Sequence, residues 1–175
     1  MRENSSKWFI VVKSGEYHAP KLIKLPKWKT IVLIGSYTST LSSKRRTAIP
    51  KKFLEILGKK IILAKWYEGC LVIVNKEVWE ALLNKLSGKA EIATKPVRDT
   101  DRFILGSAYE IKPDSQGRII LPTNLADYAN LKENLIFLGL KDRVEIWNKE
   151  TWEEKEKEIS AEASEYIEKI ANDKK

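Results

Sequence analysis

The segment Asn75-Lys76-Glu77-Val78-Trp79-Glu80 returns as Asn148-Lys149-Glu150-Thr151-Trp152-Glu153, 73 positions later. Upstream, Arg46-Thr47-Ala48-Ile49-Pro50 is answered by Arg118-Ile119-Ile120-Leu121-Pro122 at a spacing of 72. A one-residue length difference between the landmarks accounts for the change. Two landmarks repeated in the same order mean two copies of one small unit, and this constrains the fold before any strand or helix is assigned. Two similar units on one chain can pair as the halves of a homodimer do, giving a pseudo-symmetric module. A unit of roughly 50 residues buries too little surface to be comfortable alone, so the copies are expected to share a core.

The local grammar of the copies is mixed α/β and rich in strands. In the first, residues 31–35 form a β-type run and residues 37–41 an alternating strand, followed by a polar, basic turn at 42–46 and a strand at 47–49. Pro50 then suits the first turn of a helix, where a missing N–H costs nothing. Phe53, Leu54 and Leu57 give that helix an apolar face, and Gly58 is a left-handed stop. Residues 61–64 and 70–74 read as buried strands joined by a turn at Glu68-Gly69. Asn75 is placed to cap a helix whose Trp79, Leu82, Leu83 and Leu86 share one face.

The second copy repeats this. Strands are expected at 109–111, 119–121, 135–138 and 144–147, with a turn at 113–118. Pro122 opens a short helix ending near Asn130, and Asn148 caps a longer last one. In that helix Trp152, Ile159 and Tyr166 recur every seven residues beside Glu156, Ala163 and Ile170. The spacing suits packing on a neighbouring helix, but the seam is short and interrupted by Glu156, so a solvated terminal helix fits equally. Residues 87–102, between the copies, read either as a loop or as a poorly patterned helix. Residues 1–30 match neither copy; they hold an apolar stretch at 8–12 and a Lys-rich, Pro-containing run at 20–29 that reads as an extended arm.

Charge narrows the partner. The chain has a net charge of +8, unevenly placed: residues 1–65 carry 15 Lys and Arg against 3 Asp and Glu, and the rest carry 17 against 21. Such segregation points to a polyanion. A lysine-rich proteome would explain an excess, but not its position at one end. One Cys and one His exclude an intramolecular disulfide and leave no basis for a zinc site, so neither metal nor cofactor is expected. No apolar run approaches the ~20 residues of a membrane-spanning helix, and the polar start does not read as a secretory signal. A cytoplasmic protein without a membrane partner is the expectation.

Catalysis finds no support. Neither copy contains a histidine, a glycine-rich phosphate loop or a nucleophile motif, and Asp99 and Asp101 sit in the connecting segment. No catalytic residue or small-molecule substrate is expected. Trp79 and Trp152 read as core anchors of amphipathic helices, and Cys70 as an inert buried thiol.

The polar turn of each copy is where binding chemistry concentrates. The first reads Ser42-Ser43-Lys44-Arg45-Arg46, with Lys51 and Lys52 beyond Pro50; the second reads Asp114-Ser115-Gln116-Gly117-Arg118. A two-stranded ribbon fits the DNA major groove, where Arg pairs with guanine and Gln with adenine. Neighbouring lysines would hold phosphates and set register without reading sequence. Equally, such a turn is simply solvated, its arginine paired to a local acid, as Asp114 and Arg118 could be. The two readings are compatible if other residues of the turn meet DNA.

The ordered features resemble a known family. Gly35-Ser36-Tyr37, Thr40-Leu41-Ser42-Ser43-Lys44-Arg45-Arg46-Thr47-Ala48-Ile49-Pro50, Gly69-Cys70-Leu71-Val72-Ile73 and Trp79-Glu80 are similar to the first half of the MraZ family. Asp114-Ser115-Gln116-Gly117-Arg118-Ile119-Ile120-Leu121-Pro122, Gly139, Arg143-Val144-Glu145-Ile146-Trp147 and Trp152 match the second half better. The resemblance covers about residues 31–160. It implies a regulator of the bacterial division and cell-wall gene cluster. Its fold would be two tandem SpoVT-AbrB units, at 36–79 and 107–152, forming one swapped-hairpin, double-psi-like barrel module. A connecting segment would occupy 80–106 and a C-terminal helix and tail 153–175.

The resemblance further implies a ring-like homo-oligomer in the nucleoid, its turns meeting successive promoter repeats in double-stranded DNA, with repression of its own operon as the outcome. The family turn is Asp, three residues, Arg. The second copy keeps Asp114 and Arg118; the first keeps Arg46 but has Ser42 for the acid and Arg45 where glycine is usual. The DNA-binding residues expected are Lys44, Arg45, Arg46, Lys51, Lys52, Gln116 and Arg118, with Asp114, Pro50 and Pro122 shaping the turns. Residues 1–30 lie outside the resemblance, as a basic arm adding phosphate contacts or as the product of a misplaced start. An AbrB-type antitoxin or other regulator, and an RNA-binding or protein-interaction module, are the alternatives.

Overall fold

The computed structural model describes residues 32–87 and 94–172, without the side chains of 84–87. The expectations for residues 1–30, the start of the first strand at Ile31, and the side chain of Leu86 therefore lie outside the described residues. In the first copy, β1 (Leu33–Thr40), β2 (Arg46–Ala48), α1 (Lys51–Leu57), β3 (Ile61–Lys65), β4 (Leu71–Asn75) and α2 (Lys76–Ser87) follow in order. A connecting helix, α3 (Lys95–Ile104), precedes β5 (Tyr109–Ile111), β6 (Arg118–Ile120), α4 (Thr123–Tyr128), β7 (Asn134–Lys141), β8 (Arg143–Asn148) and α5 (Lys149–Asn172). No helix among them is long and apolar enough to cross a membrane.

The copies are interleaved. Six strands form one antiparallel sheet in the order β1-β7-β8-β4-β3-β5, and β2 pairs with β6 in a separate two-stranded ribbon. The hairpin β3–β4 takes as its edge neighbour β5 of the second copy, while the hairpin β7–β8 takes β1 of the first. Each copy thus lends its first strand to the other. At the two central contacts the partners are corresponding residues: Thr47 opposite Ile119 in the ribbon, and Val72 opposite Glu145 where β4 meets β8. A pseudo-two-fold axis passes through both pairs. The module is mixed α/β with a mostly antiparallel sheet and a C-terminal helix.

Why β3, β4 and β7 read as continuous apolar runs now has a cause. These strands are buried on both faces, and successive side chains point to opposite sides. Ile61, Leu63, Leu71, Ile73, Leu135 and Phe137 enter one core, closed by Phe53 and Leu57 of α1, Ile49, Ile119, and Leu125 of α4. Their sequence neighbours Ile62, Ala64, Val72, Val74, Ile136 and Leu138 enter a second core with Trp66, Trp79, Trp147 and Ile104. Glu145, on that second face, is buried but satisfied: Arg143 Nε and Trp147 Nε1 both donate to its carboxylate, each at 3.1 Å. Trp79 and Trp152 are anchors of this second core, Trp152 resting on Trp147 with ring centroids 5.6 Å apart.

Several local expectations hold and some change. Asn75 Oδ1 accepts the Val78 amide at 2.8 Å, and Asn148 Oδ1 accepts those of Glu150 and Thr151 at 3.0 and 3.3 Å. Pro50 and Pro122 stand one residue ahead of their helices rather than within the first turn. Their carbonyls accept the Phe53 and Leu54 amides and the Leu125 and Ala126 amides respectively. The two β-type runs before residue 41 are one strand, because Gly35 lies directly opposite Gly139 and lets β1 continue along β7 without a break. A Cβ on Gly139 would come within 2.7 Å of the Ile34 backbone nitrogen and 2.8 Å of a Phe53 ring carbon.

Of the open alternatives for residues 87–102, part is resolved as α3. Its sequence pattern is poor because its anchors crowd at one end: Ile104 is fully buried and Phe103 meets the edge of Tyr128. In α5 no residue is buried, and Ile159, Tyr166 and Ile170 are exposed within the described chain.

Candidate nucleic-acid interface

The turns between β1 and β2 and between β5 and β6 have the same backbone. The Ser42 amide donates to the Arg46 carbonyl at 3.0 Å, and the Asp114 amide to the Arg118 carbonyl at 2.9 Å. The Arg45 amide donates to the Ser42 carbonyl and the Gly117 amide to the Asp114 carbonyl, at 2.8 and 2.9 Å. Each turn is also held by the other copy: Ile49 N–H donates to the Gly117 carbonyl, and Leu121 N–H to the Arg45 carbonyl. Strand exchange therefore clamps both turns to one ribbon.

Side chains make the turns unequal. Asp114 Oδ1 accepts the amides of Gln116 and Arg118, each at 2.9 Å, and Oδ2 accepts from Arg118 Nε at 2.8 Å. The Arg118 amide, followed by its guanidinium, holds the Asp114 carboxyl below the usual carboxylate range. In the first turn Ser42 Oγ accepts the Arg46 amide at 3.1 Å, so serine takes over the backbone role of the acid. It supplies no charge, and no ion pair engages Arg46 among the described residues. The local Asp–Arg pairing anticipated for the second turn is present; in the first it is replaced by an unneutralised arginine.

Arg45 occupies the glycine position with φ of +54°, matching +75° at Gly117. A left-handed backbone at a residue with a Cβ costs free energy. Part of the compensation is visible: Arg45 Nε donates to the Leu121 carbonyl at 3.1 Å across the copies. This gives Arg45 a structural bond in addition to its exposed charge.

The ribbon decides which side chains face out. Thr47 and Ile119 are both buried, and alternation then sends Arg46, Ala48, Arg118 and Ile120 to the opposite face. The register sets Arg46 opposite Ile120 and Ala48 opposite Arg118. Two arginines from different copies, 72 residues apart in sequence, thus share one outward face about the pseudo-axis. Lys44 and Gln116 are exposed in the turns at its ends.

Lys51 and Lys52 are exposed on α1, but the exchange changes their neighbours. An open groove joins α1 to the second turn, lined by Lys51, Lys59, Lys112, Asp114 and Gln116. Lys51 therefore extends the positive surface beside the turn of the other copy, not its own. Lys59, in the bend after α1, and Lys112, just after β5, belong to the same groove; only the cross-copy placement of α1 brings them together. Among the described residues no group of three or more His, Cys, Asp and Glu is placed to hold a metal ion.

Comparison with known proteins gives the family. A protein of Caldanaerobacter subterraneus subsp. tengcongensis named "Transcriptional regulator MraZ" is 38% identical over 141 residues, 81% of this chain and 98% of that protein. This chain belongs to the MraZ family. Relatives of the same name in Clostridium tetani (42% identical, 70% of this chain and 86% of theirs) and Leuconostoc citreum (39%, 80% and 94%) are similar to it over most of their length. The family description "MraZ protein, putative antitoxin-like" matches residues 104–174, the better-conforming copy with its terminal helix. MraZ relatives are named as regulators, not as enzymes.

Proposed function

We propose that this MraZ-family chain is a sequence-specific, DNA-binding transcriptional regulator, and that the outward face of the β2–β6 ribbon is its reading surface. The observation that carries this is the convergence of Arg46 and Arg118 on one face of a two-stranded ribbon. Such a ribbon is of a size to enter the major groove, and paired arginines suit guanine edges. Arg46, Lys44 and Gln116 are the contacts to bases, with Arg118 oriented by Asp114. Arg45 contributes charge, and Lys51 and Lys52, with Lys59 and Lys112, hold phosphates.

The finer reading is a repressor of the bacterial division and cell-wall gene cluster. It would bind promoter-proximal repeats as a ring-like homo-oligomer in the cytoplasm and nucleoid, without cofactor or membrane partner. Residues 36–79 and 107–152 would be its SpoVT-AbrB units, and residues 1–30 a basic arm. The words "antitoxin-like" in the family description favour one alternative, an antitoxin-type regulator. A toxin gene beside this reading frame would support it; a cell-division cluster would not.

The test is fluorescence anisotropy with DNA from upstream of the reading frame, at fixed salt. Arg46→Ala and Arg118→Ala should each weaken specific binding by about 1–3 kcal/mol, with melting temperature unchanged for Arg46→Ala. Affinity equal to that of the unsubstituted protein in both variants would overturn the assignment, as would preference for structured RNA over the duplex in direct competition.

A further inference from the structure

The ribbon face holds one residue that the charge argument leaves unused. Ile120 is 53% exposed, among basic side chains, directly opposite Arg46. Single exposed apolar residues are ordinary on protein surfaces, and a β-branched residue suits a strand. But the position does not demand one: the corresponding residue of the first copy is Ala48, on the same face. Ile120 also lies one step from the pseudo-axis, at the centre of the surface rather than its rim.

We propose that Ile120 reads thymine, by contact with the 5-methyl group in the major groove. This rests on the reading that the ribbon face enters that groove. The thymine methyl is the one apolar group that base edges present there, and it calls for an apolar partner held between polar contacts. Arg46 opposite Ile120, and Arg118 two residues before it on the same strand, supply those polar contacts from both copies. The ribbon is then pseudo-symmetric in backbone but asymmetric in what it reads. Where Ile120 projects, a methyl is gripped; where Ala48 ends at Cβ, the grip is weaker.

The experiment uses the full chain and a duplex enriched by it from a randomised library, resynthesised with 2′-deoxyuridine replacing one thymine at a time. Loss of one methyl under Ile120 should weaken binding about fourfold, the worth of one buried methylene-sized group. The same replacement should leave Ile120→Ala unaffected, while Ile120→Val retains part of the sensitivity. Melting curves check that the variants fold, which their exposed position favours. No recurring thymine in the enriched duplex, or deoxyuridine effects undiminished in Ile120→Ala, would overturn the assignment. So would a change in sedimenting mass in that variant, which would make Ile120 a contact between copies of the chain. Enrichment that depends on Arg46 and Arg118 but lacks this coupling refutes Ile120 alone; failure to enrich any duplex refutes the DNA reading beneath it.

Discussion

Thr47 and Ile119 face each other across the β2–β6 ribbon, in corresponding positions of the two copies, and both are buried. One is polar and one apolar, so the axis they mark is only approximate. Thr47 is satisfied inside by Ser39, whose Oγ lies 3.1 Å from Thr47 Oγ1. Because this pair points inward, its neighbours point outward, and the functional face follows from a packing decision. The unequal turns on either side then give the halves different pH behaviour and different tolerance of substitution.

Asp114 illustrates the first. Its folded carboxyl titrates below the usual range, chiefly because the Arg118 amide and guanidinium favour the charged form. Its contribution to stability is therefore present above the ordinary aspartate range and is lost as pH falls through the lower, folded value. Asp114→Ser, which copies Ser42 of the other turn, should melt below the parent at about pH 7, with the gap closing as pH falls below the ordinary aspartate range. Thermal melts across this range check it; a gap independent of pH would remove the charge from the explanation.

Gly117 is the counterpart of Arg45 but is constrained from outside. An added Cβ would approach Leu54 Cδ2 to 2.8 Å while the backbone stays at φ of +75°. Gly117→Ala should cost roughly 1–2 kcal/mol, mostly from the left-handed backbone. Arg45→Gly should change stability little, since conformational relief is offset by loss of the bond to the Leu121 carbonyl. Urea denaturation of both variants measures this. A Gly117→Ala protein as stable as the parent would show that the turn relaxes out of the left-handed region.

The repeated hexapeptide that first betrays the duplication proves to be two helix starts. Asn75 caps α2 and Asn148 caps α5 through the same side-chain oxygen. Replacing either by Ala should cost about 1 kcal/mol. Asn148 is the more buried, and is expected to be the costlier of the two in a thermal melt. Equal stability of Asn148→Ala and the parent would mean that packing of Trp152 on Trp147 fixes α5 without the cap.

Much of this was legible in the sequence because it is local. Asn75, Asn148, Pro50, Pro122 and Gly58 act within a few residues of themselves, and the apolar runs of β3, β4 and β7 announce burial on two faces. That the copies share a core follows from their size alone. Which strand crosses to which hairpin does not: two copies with the same pattern can pair within or between themselves with similar side chains. The interleaving was implied only by family resemblance, and the register depends on Gly35 opposite Gly139, a close approach visible only in three dimensions. For the same reason nothing in the sequence joins Lys59 and Lys112 to the second turn, and Lys51 lines the groove beside that turn although it follows the first in the chain. The bond from Arg45 to Leu121 joins residues of different copies and left no trace in spacing.

Cys70 offers a check on the second core that involves no DNA. It is fully buried, its thiol donates to the Tyr67 carbonyl at 3.3 Å, and burial pushes its ionisation well above the usual thiol range. The native protein should fail to react with a thiol reagent such as Ellman's at about pH 8 and react with one equivalent in denaturant. Rapid labelling of the native chain would mean that the sheet opens between β3 and β4 far more readily than its packing implies.

The groove lysines give the phosphate contacts a quantitative signature. If Lys51, Lys59 and Lys112 each neutralise one phosphate beside the second turn, each Lys→Ala change should flatten the log–log salt dependence of binding by about 0.9. Weakening should be similar on specific and unrelated duplexes, because phosphate contacts carry no sequence information. Arg46→Ala should behave in the opposite way, losing discrimination between duplexes. Lys52, on the same helix but outside the groove lining, tests whether the phosphate contacts continue past the groove. Anisotropy titrations over a salt series on both duplexes separate these cases. Equal slopes for the Lys51 variant and the parent would remove that lysine from the DNA path, and an effect of Lys52 alone would place the backbone on the other side of α1.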